Sequence, residues 1–205
     1  MKLTKGRDLK ILDFDCECRP IAWYGGDFVT KQPTAIAWSV VGSGDVTVRA
    51  IGESYDARNV LDEEAAMLYD FCRAYDDADV VTGHYIRGFD LPFLNGALIR
   101  LGMPGLGSKL AQDTKTDLVK AGGLSKSQEN LGAMFELRHP KVSMNTSKWM
   151  AANLLLPEGI ELTKERVVGD VVQHMELRER MVTEGLLAPP KTWSAGGGRV
   201  EEYTP

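Results

Sequence analysis

The sequence predicts an α/β fold: a mixed sheet, antiparallel at its start and parallel further on, with helices on its faces. Three observations carry this. Ahead of Leu61, strand-like segments are separated by turn-rich stretches. At Leu61 the apolar period changes from about two to about 3.6 residues. Beyond it, short apolar runs alternate with amphipathic segments, the pattern that sets parallel strands between helices. At 205 residues, 43% hydrophobic and 26% charged, the chain has room for one buried core and an ordinary composition.

Residues 9–17 read as a buried strand that ends in charge. Residues 18–33, with Pro20, Gly25-Gly26 and several aromatics, read as a loop carrying Trp23 and Tyr24. Residues 34–41 and 46–51 have strand composition around a Gly42-Ser-Gly-Asp45 hairpin turn, so the first three strands form an antiparallel meander. A helix begins at Leu61, with Leu61, Ala65, Leu68, Cys72 and Tyr75 on its apolar face and Asp62, Glu63, Glu64, Asp70 and Arg73 mostly in solvent. Residues 79–82 return as a strand parallel to the first. Residues 89–101 are helical, with Pro92 confined to the first turn. A further strand over 110–113 precedes short helices over 127–135 and 147–156. Residues 163–184 form a long amphipathic helix, with Val167, Val171, Met175 and Val182 along one stripe. Pro189-Pro190 and Gly196-Gly-Gly198 mark a loosely held end. The expected organisation is one domain over 1–187 and a flexible C-terminal tail over 188–205.

Several function classes are disfavoured. No run of about 18 apolar residues is present, so no membrane span is expected. Three cysteines, an odd number without a disulfide framework, suit a reducing cytoplasm. Cys16 and Cys18 alternate onto the strand face opposite Asp15 and Glu17 and lack further ligands at zinc-site spacing, so they read as buried thiols. Gly196-Gly-Gly198 lacks the Lys-Ser/Thr of a phosphate loop. A net charge of −5 argues against a protein that coats duplex nucleic acid. It argues less against a metal-dependent nuclease, whose ions offset clustered carboxylates.

The chemistry-bearing residues are acidic. Asp15 and Glu17 alternate onto one strand face, where two like charges are best tolerated around a cation; a solvated strand end is the alternative. Asp90 follows the returning strand at a helix start, where it either caps the helix or joins the first pair. Asp170 lies among valines of the long helix, where it either faces water or is paired with a cation.

In this order the residues resemble the DnaQ-like 3′–5′ exonucleases, the DEDD superfamily, whose domains have an RNase H-like fold. Phe14-Asp15-x-Glu17 resembles their first motif. Gly83-His84 followed by Phe89-Asp90-Leu-Pro-Phe-Leu94 resembles the second, most closely as found in proofreading domains of family B polymerases. Gly169-Asp170-Val171 in the late helix resembles the third. Asp113-Thr-Lys-Thr-Asp-Leu118 and Asn130-Leu131 resemble the middle of such domains, and the likeness runs over about residues 9–182. Tyr85 stands where the family often has Asn. Arg166 and Glu165 stand where it has Tyr or His.

The resemblance implies an RNase H-like mixed sheet, a three-stranded antiparallel meander plus parallel strands, flanked by helices. It implies that Asp15, Glu17, Asp90 and Asp170 hold two divalent ions, Mg²⁺ or Mn²⁺, with Asp15 touching both. The expected reaction removes nucleoside 5′-monophosphates from single-stranded 3′ ends of DNA or RNA. For the general base, His174 lies one turn beyond Asp170, and His139 sits on a loop; metal activation without a protein base and loss of turnover are the other options. His84, Tyr85, Phe89 and Trp23, with Tyr24, are the candidates for binding the strand, and Arg87 and Lys148 for touching phosphate. For Phe89 core packing is the alternative, and for the two cations a plain surface charge. No polymerase domain follows in the chain, so the expectation is a stand-alone exonuclease of the kind found in phage genomes, acting in the cytoplasm with a possible replication or polymerase partner. A non-catalytic nucleic-acid-binding or polymerase-associated module, and an endonuclease on the same fold, are the rival readings.

Overall fold

The computed structural model describes residues 8–24, 28–54 and 59–196, with side chains at 22–24, 28 and 29 left aside. The elements run β1 (Ile11–Tyr24), β2 (Phe28–Val40), β3 (Thr47–Ala50), α1 (Val60–Asp77), β4 (Val80–Gly83), α2 (Asp90–Arg100), β5 (Lys109–Asp113), α3 (Gln128–Met134), α4 (Thr146–Asn153), α5 (Pro157–Thr183) and β6 (Lys191–Trp193). The six strands form one sheet in the order β3-β2-β1-β4-β5-β6. β1 to β3 make the antiparallel meander, β4 and β5 add in parallel, and β6 closes the edge antiparallel to β5. No described helix is long and apolar enough to cross a membrane.

β1 shows how one strand serves both core and site. Its side chains alternate across the sheet. Leu12, Phe14 and Cys16 enter the main core with Met67, Leu68, Phe71 and Tyr75 of α1 and Leu91, Leu94 and Leu98 of α2. Asp13, Asp15 and Glu17 therefore project to the other face. That face is covered by α5, whose Ile160, Val167 and Val171 pack on Ala35, Ala37 and Ala50. Ala35 lies opposite Glu17, and Ala37 opposite Asp15, across the β1–β2 ladder. Methyl groups beside the acids leave room for α5 to come close. At the end of β4 a Cβ on Gly83 would meet the Phe14 carbonyl oxygen at 2.7 Å and an Ile86 methyl at 2.3 Å, so only glycine lets this strand end lie so near β1.

Four local readings change. Residues 18–33, expected as a loop, continue β1 and β2 as a long hairpin. Among the described residues no strand pairs with the second edge of β1 past Asp13, and β3 pairs with β2 only over Ala35–Trp38. Pro20 and Pro33 thus sit where a missing N–H costs little, beside register shifts at Glu17/Cys18 and Pro20/Ala22. Within the expected tail, β6 pairs with β5 and buries Trp193; residues 197–205 lie outside the described residues. In α1 the apolar face is rotated from the expected one. Leu61 is exposed, whereas Glu64 is buried, accepting from Gln32 Nε2 at 2.8 Å and ion-paired with Arg100. In α5 the buried stripe runs on through Leu177 and Met181, leaving Val182 half exposed.

Candidate metal centre

Asp15 and Glu17 reach the α5 side of the sheet from β1, and Asp170 meets them from α5. One carboxylate oxygen from each lies within 4.8 Å of the other two. Asp170 is 3% exposed and its Oδ1 is buried without a hydrogen-bond partner. Among the described residues the Asp15 carboxylate has no hydrogen bond or ion pair. A buried orphan oxygen beside an unpaired acid is costly unless a cation completes it. These hard oxygen donors fit Mg²⁺ or Mn²⁺.

The electrostatics carry the same strain. Burial pushes the Asp15 carboxyl well above the usual carboxylate range, and the charges of Asp90, Asp170 and Glu17 push it further; Lys141 opposes them. Burial also raises Glu17, against the guanidinium of Arg166, and raises Asp170, against Lys141 and Arg166. Asp90, at the first turn of α2, is raised by burial to about 6. Its Oδ1 accepts from Cys16 Sγ at 3.1 Å, a thiol on the core face of β1. Asp90 thus stands next to Asp15 electrostatically but outside the tight triplet of oxygens. Cys16 is buried as expected, with a polar partner that strand alternation alone does not reveal.

Two cations close the centre. Arg166 Nε lies 2.5 Å from Glu17 Oε1, and its Nη2 lies 3.7 Å from Asp170 Oδ2. Lys141 Nζ lies 3.3 Å from Asp170 Oδ2 and 3.3 Å from Glu129 Oε1. Arg166 occupies the helical position where Tyr was expected from the resemblance. Lys141, from an irregular stretch between α3 and α4, carried no sequence signal.

His174, one turn beyond Asp170 on α5, gives its ring to Asp13 and Thr114. Its Nδ1 meets both Asp13 carboxylate oxygens at 2.7–2.8 Å and its Nε2 meets Thr114 Oγ1 at 3.0 Å, with the ring buried. Both nitrogens are engaged, because Asp13 shares the acids' strand face and lies under the next turn of α5. His84 joins the same chain, Nδ1 to Thr114 Oγ1 at 2.9 Å, and burial lowers its pKa to about 4, so it is neutral. His139 pairs with Glu176.

The turn between β4 and α2 is fastened to β5. Asp113 accepts from the backbone N–H of Tyr85, Arg87, Lys115 and Thr116 at 3.0–3.1 Å. Arg87 is bonded to Asp117, Thr116 and the Ala111 carbonyl, a fastening for this turn, and Lys148 donates to the Ser143 carbonyl. Tyr85, held at φ 70°, is 40% exposed with Lys115 Nζ 4.0 Å above its ring. Phe89 stacks on Phe93 at 5.5 Å and has Lys31 Nζ 5.3 Å from its ring centre. Trp23 and Tyr24 fall on β1, and their side chains lie outside the described residues. The sequence marks the acids of Asp113-Thr-Lys-Thr-Asp117 only through the likeness and does not mark Asp13 as a site residue, although Asp13, Asp15 and Glu17 alternate on one face.

No family model matches the sequence, and no curated protein matches it. Among solved structures, the chain is similar to a family B DNA polymerase from the hyperthermophilic archaeon Pyrobaculum calidifontis. The TM-score is 0.58 at 19% identity, over 88% of this chain. The chain spans 25% of the polymerase's length. At that identity the likeness establishes the fold, which among the described residues is a six-stranded mixed α/β sheet flanked by five helices, of the RNase H-like kind.

Proposed function

We propose that this chain is a metal-dependent 3′–5′ exonuclease that releases nucleoside 5′-monophosphates from single-stranded ends of DNA or RNA. The convergence of Asp15, Glu17 and Asp170 within 4.8 Å, on a fold shared with a DNA polymerase, is the observation that carries the reading. These three acids, with Asp90 beside them, would hold Mg²⁺ or Mn²⁺. Such an ion acidifies a bound water and offsets the charge of the phosphate. The resemblance implies two such ions, and Lys141 and Arg166 bear on the second. Tyr85 and Phe89, each with a lysine over the ring, supply faces for bases and charge for phosphates on the α2 side of the acids. All three histidines make contacts elsewhere, so no imidazole is assigned the water's proton.

The test is 3′-end trimming of single-stranded and 3′-recessed DNA and RNA oligonucleotides with Mg²⁺ or Mn²⁺. Asp15→Ala is expected to lower the rate about 10³-fold, equivalent to ~4 kcal/mol of barrier. Trimming that persists in Asp15→Ala, or in chelator, would overturn the proposal. A second reading, a non-catalytic strand-binding module, is favoured by one observation: Arg166 already occupies Glu17. Strand binding without cleavage in every metal condition would select it.

A further inference from the structure

Two divalent ions among four carboxylates would bring four positive charges to four negative ones. This chain has already supplied two of those charges itself. Arg166 is fixed at the acids by residues outside them: its Nη1 donates to the Val142 carbonyl at 2.8 Å, and its guanidinium lies 5.3 Å over the Trp149 ring. Its side chain is 15% exposed and that of Lys141 19%. A guanidinium stays charged at any working pH, and the Lys141 ammonium lies between the carboxylates of Asp170 and Glu129. Glu129 shares Lys141, but at 60% exposure its charge is largely screened by water.

We propose that the centre takes a single divalent ion, bound through Asp15 and the free oxygen of Asp170, and that Lys141 and Arg166 supply the charge a second ion would bring. One ion beside these two side chains balances Asp15, Glu17, Asp90 and Asp170. A second would leave two uncompensated positive charges in a largely desolvated site, which is strongly unfavourable. The free ligands point the same way. Asp170 Oδ2 and Glu17 Oε1 are already engaged by the cations, whereas Asp170 Oδ1 and the whole Asp15 carboxylate are not. Mg²⁺ and Mn²⁺ readily keep waters in their remaining positions, so a site with few protein ligands suits them.

The inference rests on the metal-dependent reading, and counting ions separates the two. The full chain, without nucleic acid, is titrated with Mn²⁺ by calorimetry, and the bound ion is observed by electron paramagnetic resonance. The expected result is one ion per chain with the spectrum of an isolated Mn²⁺. Lys141→Met with Arg166→Met is expected to take up two ions, with the spin coupling of a pair roughly 3.5–4 Å apart. Two coupled ions in the wild type would overturn the single-ion assignment and leave the metal-dependent reading standing. No binding would overturn both. A double variant that still takes one ion would show that the two cations do not set the number. Should that variant fail to fold, Lys141→Met alone and the wild-type count still decide.

Discussion

Asp13 and His174 form a buried pair one strand position from the acids, and neither has water to fall back on. Removing one partner of such a pair leaves the other charged or unsatisfied in the interior. His174→Ala is therefore expected to destabilise the chain by about 3 kcal/mol, read as a lower urea midpoint at an unchanged slope. A change under about 1 kcal/mol would mean that the pair contributes little. The same residue marks what sequence can tell at this scale. Helical spacing puts His174 on the face of Asp170, and the structure agrees. What spacing could not supply was the strand acid beneath it, because Asp13 and His174 are 161 residues apart and only the fold brings them together. Asp15, Glu17 and Asp170 were legible because each breaks a local rule: two carboxylates on one strand face, and an acid among valines. Lys141 breaks none, since a lysine in a loop is unremarkable until the chain folds it onto Asp170.

The close approach of α4 and α5 governs where Asp170 ends up. At Gly159 an added Cβ would lie 2.3 Å from the carbonyl carbon and oxygen of Ala151. Helix propensity alone predicts a gain of about 1 kcal/mol for Gly159→Ala. The contact with backbone reverses the sign, and a loss of about 1–3 kcal/mol is expected, because neither atom can rotate away. Thermal unfolding measures it, and a raised melting temperature would contradict this packing. Elements with a single period and sharp ends, such as α2 with Pro92 in its first turn or α3 with its Ser127 cap, were legible to within a residue or two. The β1–β2 hairpin and β6 were not. Their prolines and glycines carry loop composition, and only their position at sheet edges makes them strands.

For the molecule as a whole the acids are a liability that a bound metal would remove. Asp90 has a pKa of about 6 in the fold, against 3.8 for an unperturbed Asp. Between those values the folded chain binds more protons than the unfolded one, so stability falls as pH rises through the window. Wild type is thus expected to lose stability relative to Asp90→Asn between about pH 4 and pH 6, by about 2 kcal/mol, and to level off above it. On the metal-dependent reading Mn²⁺ would bind the deprotonated centre of the folded chain alone, so at a hundred times its dissociation constant it should add about 2.7 kcal/mol above that window. Melting curves across pH, with and without Mn²⁺, measure both. A wild type that gains on Asp90→Asn with rising pH in the absence of metal would rule out burial as the cause. The fold class was legible because the meander, the crossover helix and the returning strand follow in an order that few sheets accept. The edge strand beyond residue 188 was invisible because its one apolar anchor, Trp193, sits between prolines and glycines.

The hairpin of β1 and β2 outlasts the sheet, and Glu17 stands where it leaves. Among the described residues β1 has strands on both sides up to Asp13 and only β2 beyond it; past the shift at Glu17/Cys18, Arg19 ties the ribbon to Gln32 and to the Asn153 carbonyl of α4. A two-stranded ribbon opens locally at a free energy well below that of global unfolding. Each such opening loosens Glu17, at the register shift, while Asp15 stands between Phe14 and Cys16, whose side chains are held in the core. The centre is therefore made of ligands with different lifetimes in place: one that breathes with the ribbon, and others that last as long as the fold.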